Sequence, residues 1–278
     1  KIYERALGKW ADYNLCVSQN FKQDLIDDMG VVKPIYVLYD KATPKYKRLE
    51  IEDRHQLFNK IWENNNKFTI ETMSGITESK NRDLILFSST SYTPDEDFNL
   101  VVDALIEVNK RIEKETGGVY DGPGISLVVT GKGPLKDEFE TKFNECNSIL
   151  KHVSMETMWL EIEDYPKLVG SADLGVCLHY SSSGVDLPMK VVDMFSARLG
   201  CLAINYESIG ELVKDGDNGQ IFIDKDQLAN QIYDILKEFK NGHSSTLEKY
   251  RENLDKGFCQ QKWEDHWYNS VYMNIISD

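Results

Sequence analysis

The segment His179-Tyr-Ser-Ser-Ser-Gly-Val-Asp-Leu-Pro-Met-Lys-Val-Val-Asp-Met-Phe195 decides the fold of this chain. The apolar run before it, at 174–178, has the length and composition of a buried β-strand. Pro188 and the apolar spacing that follows it predict a helix over 187–197. A strand, a loop of small residues and a helix N-terminus form an anion-binding arrangement, because backbone N–H groups can approach a ligand and the helix dipole favours negative charge. We call residues 179–188 the serine loop.

Two charged residues of the predicted helix narrow the kind of ligand. Lys190 and Asp193 lie three positions apart, on adjoining parts of one helical face. A cation near phosphate and a carboxylate that accepts from ribose hydroxyls suit a nucleotide diphosphate sugar. The residues predicted to bind such a donor here are Ser181, Ser182, Ser183, Gly184, Val185, Met189, Lys190 and Asp193. The alternative is an ordinary strand-to-helix loop of an α/β domain.

The rest of the chain alternates between strand and helix patterns. Strands are predicted at 84–89, 125–130, 152–154, 174–178, 201–205 and 220–223, and helices at 97–115, 135–145, 164–171, 187–197, 208–214, 227–240, 246–255 and 261–276. This order predicts a doubly wound parallel sheet. Before it, the pattern predicts a strand at 13–17, a helix from Ser18 to Met29, a strand at 35–39, a helix at 54–64 and a polar loop through 82.

Two further loops follow predicted strands at the carboxyl edge, where open α/β sheets bind ligands. Gly131, Lys132 and Gly133 open the glycine turn, residues 131–135, whose backbone could lie under a diphosphate. Its third glycine position holds Lys136, which argues against a dinucleotide dehydrogenase. A tight turn without a ligand is the alternative. Ser88, Ser89 and Thr90 end the first strand of the sheet, and residues 93–97 could either cap the next helix or contact the donor.

Composition excludes several classes. The 278 residues carry a net charge of −14, which argues against a nucleic-acid partner. The basic residues Lys41, Lys45, Lys47 and Arg48 are interpreted as a solvated linker, with a membrane or phosphate patch as the alternative. Five widely spaced cysteines, with Cys16, Cys177 and Cys201 in apolar runs, predict reduced core thiols. Lys1 begins a predicted helix, so we expect a piece of a longer protein.

Several motifs in order resemble one family. They are Asp164-Tyr-Pro-Lys-Leu-Val-Gly-Ser-Ala-Asp-Leu-Gly-Val176 followed by the serine loop, Ser88-Ser-Thr-Ser-Tyr-Thr-Pro-Asp-Glu-Asp97 upstream, and Thr130-Gly-Lys-Gly-Pro-Leu-Lys136. Together they resemble the chitobiosyldiphosphodolichol β-mannosyltransferase family, best over residues 84–223. One departure is Leu199-Gly200, where the family usually has Leu-Pro; glycine loosens this turn.

The resemblance implies a two-Rossmann-domain (GT-B-like) glycosyltransferase, with this chain supplying mainly the C-terminal donor-binding half. It implies transfer of mannose from GDP-mannose to dolichyl-diphospho-chitobiose with inversion, without metal or cofactor. Trp159 and Leu160 would meet the guanine through the backbone, although Trp159 could equally be a core aromatic. Related retaining enzymes carry an acidic residue where Val185 stands, which fits inversion.

The domain division and the partners also rest on the resemblance. We expect a remnant of the acceptor domain at 1–44, a linker region at 45–82, a nucleotide-sugar domain at 83–258, and a helix at 259–278 that packs back toward the acceptor domain. The implied location is the endoplasmic reticulum membrane, with the catalytic domain on the cytoplasmic face and the anchor outside this chain. Other early transferases of the dolichol pathway are implied partners.

No catalytic base is assigned from the sequence, because in this architecture the base usually comes from the acceptor domain. His179 and Asp186 are weak candidates. His179 could be structural or could touch the donor, and Asp186 could cap the helix or act as an acid. One rival function is a non-catalytic paralogue or scaffold subunit, which guanine-selective binding of GDP-mannose would disfavour. Another is a nucleotide-binding domain of a different class, which the missing P-loop disfavours.

Overall fold

The N-terminal part of the chain forms a small parallel pair of strands. The structure, a computed structural model, describes residues 2–41, 44–63, 65–181 and 183–277. Its first elements are α1 (Ile2–Gly8), β1 (Asn14–Cys16), α2 (Gln19–Asp27) and β2 (Ile35–Val37). As predicted, Ser18 caps α2, since its side chain accepts from the Phe21 backbone N–H at 2.9 Å. β1 and β2 pair in parallel over a core that includes Cys16, Leu25 and Ile35.

The next segment contains a helix and a hairpin, where the sequence predicted a helix and a polar loop. The helix α3 (Ile51–Ile61) begins three residues earlier than predicted. The strands β3 (Thr69–Thr72) and β4 (Gly75–Glu78) form an antiparallel hairpin, so the prediction of a loop through 82 is wrong. Three of the four β3 residues are exposed, which removes the apolar alternation that signals a strand. Gly75, with φ +116°, makes the tight connection.

Residues 84–222 form the central sheet that the sequence predicted. Its strands are β5 (Leu84–Thr90), β6 (Ile125–Gly131), β7 (Val153–Met158), β8 (Leu174–Cys177), β9 (Cys201–Ile204) and β10 (Gly219–Phe222). The helices around it are α4 (Phe98–Thr116), α5 (Lys136–Asn147), α6 (Tyr165–Val169), α7 (Met189–Ser196), α8 (Ile209–Leu212), α9 (Lys225–Glu238) and α10 (Ser245–Lys256). All neighbouring strands are parallel.

The central strands β5, β6 and β8 carry apolar runs because both faces of the sheet are covered. Leu84 and Leu86 of β5 belong to one buried cluster, whereas Ile85 and Phe87 belong to the other. Alternate residues of a strand point to opposite faces, so this division follows from the pleat. All five cysteines are free, and Cys16, Cys177 and Cys201 are buried as predicted.

The order of the strands fixes where a ligand can bind. The sheet runs β10-β9-β8-β5-β6-β7, the order of a doubly wound dinucleotide-type fold. The chain moves outward from β5 to β7 and then returns to the other side of β5 at β8. The connections therefore diverge between β5 and β8, which leaves a crevice beyond the carboxyl ends of these strands.

The C-terminal segment is helical, as predicted. A helix was expected at 261–276, and after a short 3-10 turn (Phe258–Gln260) the chain forms α11 (Trp263–Trp267), which continues without a break into a π-helical stretch (Tyr268–Ile276). The His266 ring stacks on the Tyr39 ring, with centroids 5.9 Å apart. In the part of the chain that the structure describes, no helix is both long and apolar enough to cross a membrane.

Candidate functional site

A cleft of about 700 Å³ opens at the carboxyl edge of the sheet, and its size suits a small-molecule ligand. We call it the strand-end cleft. It is lined by the carboxyl ends of β5 and β6, the loops after β5 and β7, the starts of α6 and α7, and two residues of the segment before α3. These residues are Lys45, Tyr46, Ser89, Thr90, Ser91, Thr130, Gly131, Trp159, Leu160, Glu161, Ile162, Tyr165 and Lys190. The structure thus brings together six predicted residues: Ser89, Thr90, Gly131, Trp159, Leu160 and Lys190. It places Ser88 elsewhere, because the buried hydroxyl of Ser88 donates to the Val176 carbonyl at 2.7 Å.

The glycine turn lies against the loop after β5 at a distance that only glycine allows. A Cβ on Gly131 would stand 1.8 Å from the carbonyl oxygen of Thr90, and one on Gly133 would stand 1.7 Å from that of Ser91. Gly131 also has φ +144°, which is strained for other residues. The helix after the turn begins at Lys136, one residue later than predicted. The glycines therefore join two loops into one wall of the strand-end cleft.

A cation–π contact lies next to this wall of the cleft. The Lys132 ammonium lies 3.7 Å from the centroid of the Trp159 ring, and Trp159 is 59% exposed. Trp159 is therefore not a core aromatic, which was the alternative that the sequence left open. Lys132 does not line the cleft itself, but it holds the side chain of a residue that does.

Lys190 lines the strand-end cleft with its charge already paired. Its ammonium donates to the carboxylate of Glu96, whose side chain is 2% exposed. Glu96 also accepts from the Thr90 hydroxyl at 2.6 Å and from the Ser91 backbone N–H at 2.9 Å. Sequence reasoning placed Glu96 in a cap cluster and missed this role. The cap is Asp97, which accepts from the Asn99 backbone N–H at 3.0 Å.

Asp193 lies beside the cleft, behind Tyr46. Burial raises the pKa of its carboxyl to about 6, against the opposing effects of a hydrogen bond from Tyr46 and the charge of Lys45. Tyr46 and Lys45 both line the cleft, so this basic segment contacts the candidate site, while Lys45 and Lys47 are exposed, as expected for a solvated segment. Nothing in the spacing of the sequence indicated that residues 45–46 return to the sheet edge.

The serine loop is closed on itself. Ser181 and Ser183 both donate to the carboxylate of Asp186, the latter at 3.0 Å, and the Gly184 backbone N–H donates to the Ser181 hydroxyl at 2.9 Å. Ser182 lies outside the described residues. No described residue of the loop lines the strand-end cleft. Among the described residues of 179–195, Lys190 in the first turn of α7 is the one that lines the cleft together with the glycine turn.

Neighbouring elements also hold the backbone of this loop. Ser208 donates to the Gly184 carbonyl at 2.6 Å, and Ser18 donates to the Val185 carbonyl. The next helix begins at Met189, which is half exposed, and Pro188 is its N-cap. Asp186 does not cap the helix, so that prediction is wrong, because its carboxylate is turned back to the serines.

His179 and Asp186 form a pair at the end of β8. The His179 Nε2 atom is 3.5 Å from Asp186 Oδ2. Burial acts to raise the pKa of the Asp186 carboxyl, but hydrogen bonds from Ser181 and Ser183 outweigh it and the pKa is lowered. A carboxyl that stays ionised in this way cannot serve as a general acid near neutral pH. Asp186 is instead suited to orient the imidazole of His179.

The chain also matches a known protein family. Residues 69–256 match the family described as glycosyl transferases group 1. The chain is 36% identical to the chitobiosyldiphosphodolichol β-mannosyltransferase of Homo sapiens, over 98% of this chain and 60% of that protein. The Mus musculus protein of the same name is also 36% identical, over 98% of this chain and 58% of that protein. The "UDP-glycosyltransferase TURAN" of Arabidopsis thaliana is 35% identical, over 95% of this chain and 62% of that protein.

These matches extend beyond the 84–223 range on which the resemblance rested, and they confirm it. The chain spans 58–62% of the length of these relatives.

Solved structures share the fold. A sucrose-phosphate synthase from Thermosynechococcus elongatus superposes with a TM-score of 0.66 at 13% identity, over 98% of this chain and 60% of that one. Anabaena Alr3699/HepE in complex with UDP-glucose gives 0.65 at 14% identity, over 98% of this chain and 66% of that one. The predicted GT-B-like fold is confirmed. The chain therefore belongs to the glycosyl transferases group 1 family.

Proposed function

We propose that this protein is a mannosyltransferase that transfers mannose from GDP-mannose to dolichyl-diphospho-chitobiose and forms a β1,4 bond with inversion. The observation that carries the proposal is the 36% identity, over 98% of this chain, to proteins named chitobiosyldiphosphodolichol β-mannosyltransferase. The strand-end cleft supports it, because it lies at the crevice where folds of this type hold nucleotides.

The donor is proposed to lie along the strand-end cleft. The guanine lies against the backbone of Trp159 and Leu160, and the diphosphate lies near Gly131 and Lys190. The ribose hydroxyls donate to Asp193 once Tyr46 shifts aside. Residues 181–185 remain proposed donor contacts. Because the described hydroxyls and the backbone groups of Gly184 and Val185 already make hydrogen bonds, we propose that the loop exchanges some of these bonds when the donor binds.

The proposed reaction is a displacement at the anomeric carbon of mannose. The acceptor hydroxyl attacks, the bond to the β-phosphate oxygen breaks, and GDP leaves with the electron pair. The N-terminus of α7 and Lys190 stabilise the charge that develops on the leaving phosphate. A general base must take the proton of the attacking hydroxyl on the opposite face of the sugar. We propose that the acceptor-binding domain supplies this base, with His179 as the candidate within this chain.

The domain arrangement is proposed in the same terms. Residues 1–44 belong to the acceptor-binding domain, 45–82 connect the domains, 83–258 bind the donor, and 259–278 pack back toward the acceptor-binding domain. The stacking of His266 on Tyr39 supports the last assignment. We also propose that the protein works at the endoplasmic reticulum membrane on the cytoplasmic face, beside other early transferases of the dolichol pathway.

A panel of nucleotides tests the donor assignment. Thermal unfolding is measured with GDP-mannose, GDP, UDP-glucose, UDP and ADP at equal concentrations. We expect GDP-mannose and GDP to raise the melting temperature most, since ligands that bind the folded state stabilise it. A preference for uridine nucleotides contradicts the proposal and favours the activity in the name of the Arabidopsis relative.

Product formation tests the acceptor assignment. Radiolabelled GDP-mannose and a soluble chitobiosyl-diphospho-lipid are incubated with protein that carries a complete acceptor-binding domain. Labelled lipid from which a β-mannosidase releases mannose is the expected product. Guanine-selective binding with no labelled lipid favours the rival, a non-catalytic nucleotide-sugar-binding protein. Transfer by residues 1–278 alone would place the base in this chain and make His179 and Asp186 the first residues to mutate.

A further inference from the structure

Four arginines gather at the amino edge of the central sheet, opposite the strand-end cleft. Arg82 lies just before β5, Arg54 lies on α3, Arg251 lies on α10, and Arg48 lies in the segment before α3. We call them the arginine cluster. β5 has seven residues, so the cluster is roughly 20 Å from the cleft at the other end of the strands.

Two carboxylates hold part of the cluster in place. Asp173, fully buried before β8, accepts from Nη1 and Nη2 of Arg82 at 2.6 and 2.9 Å. Glu78, at the end of β4, accepts from Arg54 Nη1 at 2.6 Å and from Arg82 Nε at 2.5 Å. Arg82 also donates to the Asp83 carbonyl at 2.8 Å, so its guanidinium is well satisfied, and its side chain is 0% exposed.

The positive charges exceed the buried negative ones. Four guanidinium groups face the carboxylates of Asp173 and Glu78, because Arg251 reaches the same Asp173, at 3.8 Å, and the one hydrogen bond from the Arg48 side chain to a described residue goes to the Ala172 carbonyl at 3.5 Å. A third carboxylate near Arg251, that of Glu248, is 52% exposed and pairs with His243. Arginine remains protonated in proteins, so the excess is close to two charges.

Several guanidinium nitrogens in the cluster lack a hydrogen-bond partner among the described residues, although Arg251 Nη2 lies within 3.8 Å of the Asp173 carboxylate. The Nε and Nη2 atoms of Arg54 and of Arg251 are buried and make no hydrogen bond to any of the described residues. The side chains of Arg54 and Arg251 are 4% and 14% exposed. Burial is the largest influence on Arg48 and on Arg251 and lowers the pKa of both; neighbouring arginines act in the same direction, and the charge of Asp173 acts against it in both. Unpaired buried donors and crowded like charges both cost stability.

We propose that the arginine cluster binds a small inorganic oxyanion, phosphate or sulfate, between Arg54, Arg251 and Arg48. A guanidinium presents its N–H groups in a planar fork that matches two oxygens of such an anion. Two negative charges on phosphate or sulfate would balance the excess of two. Arg251 is 14% exposed, so solvent reaches the cluster on its side.

The bound anion ties three separate parts of the chain together. Arg48 precedes α3, Arg54 is on α3 and Arg251 is on α10, so one anion joins the segment that enters the central domain to a helix near its end. This role is distinct from the proposed transfer reaction, because the anion lies at the opposite edge of the sheet from the donor.

Thermal unfolding in matched salts tests the inference. The melting temperature of the chain is measured with sodium phosphate, sodium sulfate and sodium chloride at equal ionic strength. Phosphate or sulfate at ten times its dissociation constant should raise the melting temperature by about 4 °C over chloride. In Arg251→Met this rise should disappear, whereas the control Arg111→Met, a surface arginine paired with Glu107, should keep it.

Two further variants separate this site from the proposed donor site. Lys190→Ala, at the strand-end cleft, should keep the phosphate-induced rise, and Arg251→Met should keep the response to GDP. If Arg251→Met does not fold, Arg48→Met carries the same expectation, since Arg48 makes one long hydrogen bond. Equal rises in phosphate and chloride, a rise that survives Arg251→Met, or a rise that is lost in Lys190→Ala would each overturn the inference.

Discussion

The glycine turn after β6 and the serine loop after β8 occupy equivalent places, yet only one of them lines the strand-end cleft. Both are loops of small residues between a buried strand and a helix. The glycines have no side-chain polar groups, so their backbone packs against the loop after β5 and faces the cleft. In the serine loop, Asp186 accepts from Ser181 and Ser183 and closes the loop internally. Small residues at a strand end therefore open a ligand site only where the hydrogen-bonding groups are left free.

The largest expected effect comes from filling the close approach in the glycine turn. Gly131→Ala places a Cβ 1.8 Å from the Thr90 carbonyl at φ +144°, and we expect a loss of about 3 kcal/mol or more in the free energy of unfolding. Urea denaturation measures it. Gly210→Ala is the matched control, because a Cβ there meets nothing within 4 Å.

The serine loop should respond much less to the same kind of experiment. Ser183→Ala removes one of the two hydroxyls that donate to Asp186, in an exposed position, so we expect a loss of about 1 kcal/mol or less. A Gly131→Ala variant as stable as Ser183→Ala would contradict the contrast between the two loops.

The next effect concerns Lys190, the residue of α7 that lines the cleft after the serine loop. Lys190→Ala should weaken GDP binding by about 2 kcal/mol, because it removes a cation from the diphosphate and leaves the buried Glu96 carboxylate without its partner. Calorimetry of GDP binding measures this loss. In the double variant Lys190→Met/Glu96→Gln the loss should shrink to about 1 kcal/mol, because the unpaired charge is gone.

The control for this prediction is another paired lysine. Lys256→Ala breaks a surface pair with Glu252 on α10, far from the cleft, and should leave GDP affinity unchanged. If Lys190→Ala binds GDP as tightly as the wild type, Lys190 serves only to neutralise Glu96. A double variant that binds GDP no better than Lys190→Ala would mean that the unpaired charge of Glu96 does not contribute to the loss of affinity.

The central sheet could be predicted because its strands are nearly continuous apolar runs between helical patterns. All six strands from Leu84 to Phe222 were placed by this signal. The β3–β4 hairpin was missed because its residues are mostly exposed and polar. Strand ends correctly located Ser89, Thr90 and Gly131 in the cleft, since parallel strands share one carboxyl edge.

What could not be predicted are contacts between residues far apart in sequence. Tyr46 reaches Asp193 across almost 150 residues, and Glu96 reaches Lys190 over 94. Local patterns carry no information on such pairs, so Asp193 was expected to be free for a ribose and Lys190 to be an unpaired cation. The orientation of Asp186 depends similarly on which donors lie nearest: the sequence suggested a helix cap or an acid, and the structure turns the carboxylate to Ser181 and Ser183.

The smallest expected effect is a pH dependence that arises from Asp193. Its carboxyl has a pKa of about 6 in the folded protein against 3.8 ordinarily, so between these values the folded state binds more protons than the unfolded state. Stability therefore falls as pH rises through this window, and the penalty is complete above pH 6. Because Asp193 is only partly buried, we expect Asp193→Asn to be more stable than the wild type by about 1 kcal/mol at pH 7, with the difference vanishing toward pH 4.

Urea denaturation of both proteins at several pH values gives the difference, in which all other titrating groups cancel. Asp95→Asn is the control of opposite sign, since a hydrogen bond from Thr93 lowers the pKa of Asp95 and its contribution to stability is lost as pH falls. A difference between wild type and Asp193→Asn that stays constant from pH 4 to pH 7 would mean that Asp193 is well solvated and open to the cleft, and would move it from behind Tyr46 to the surface where a ribose can reach it directly.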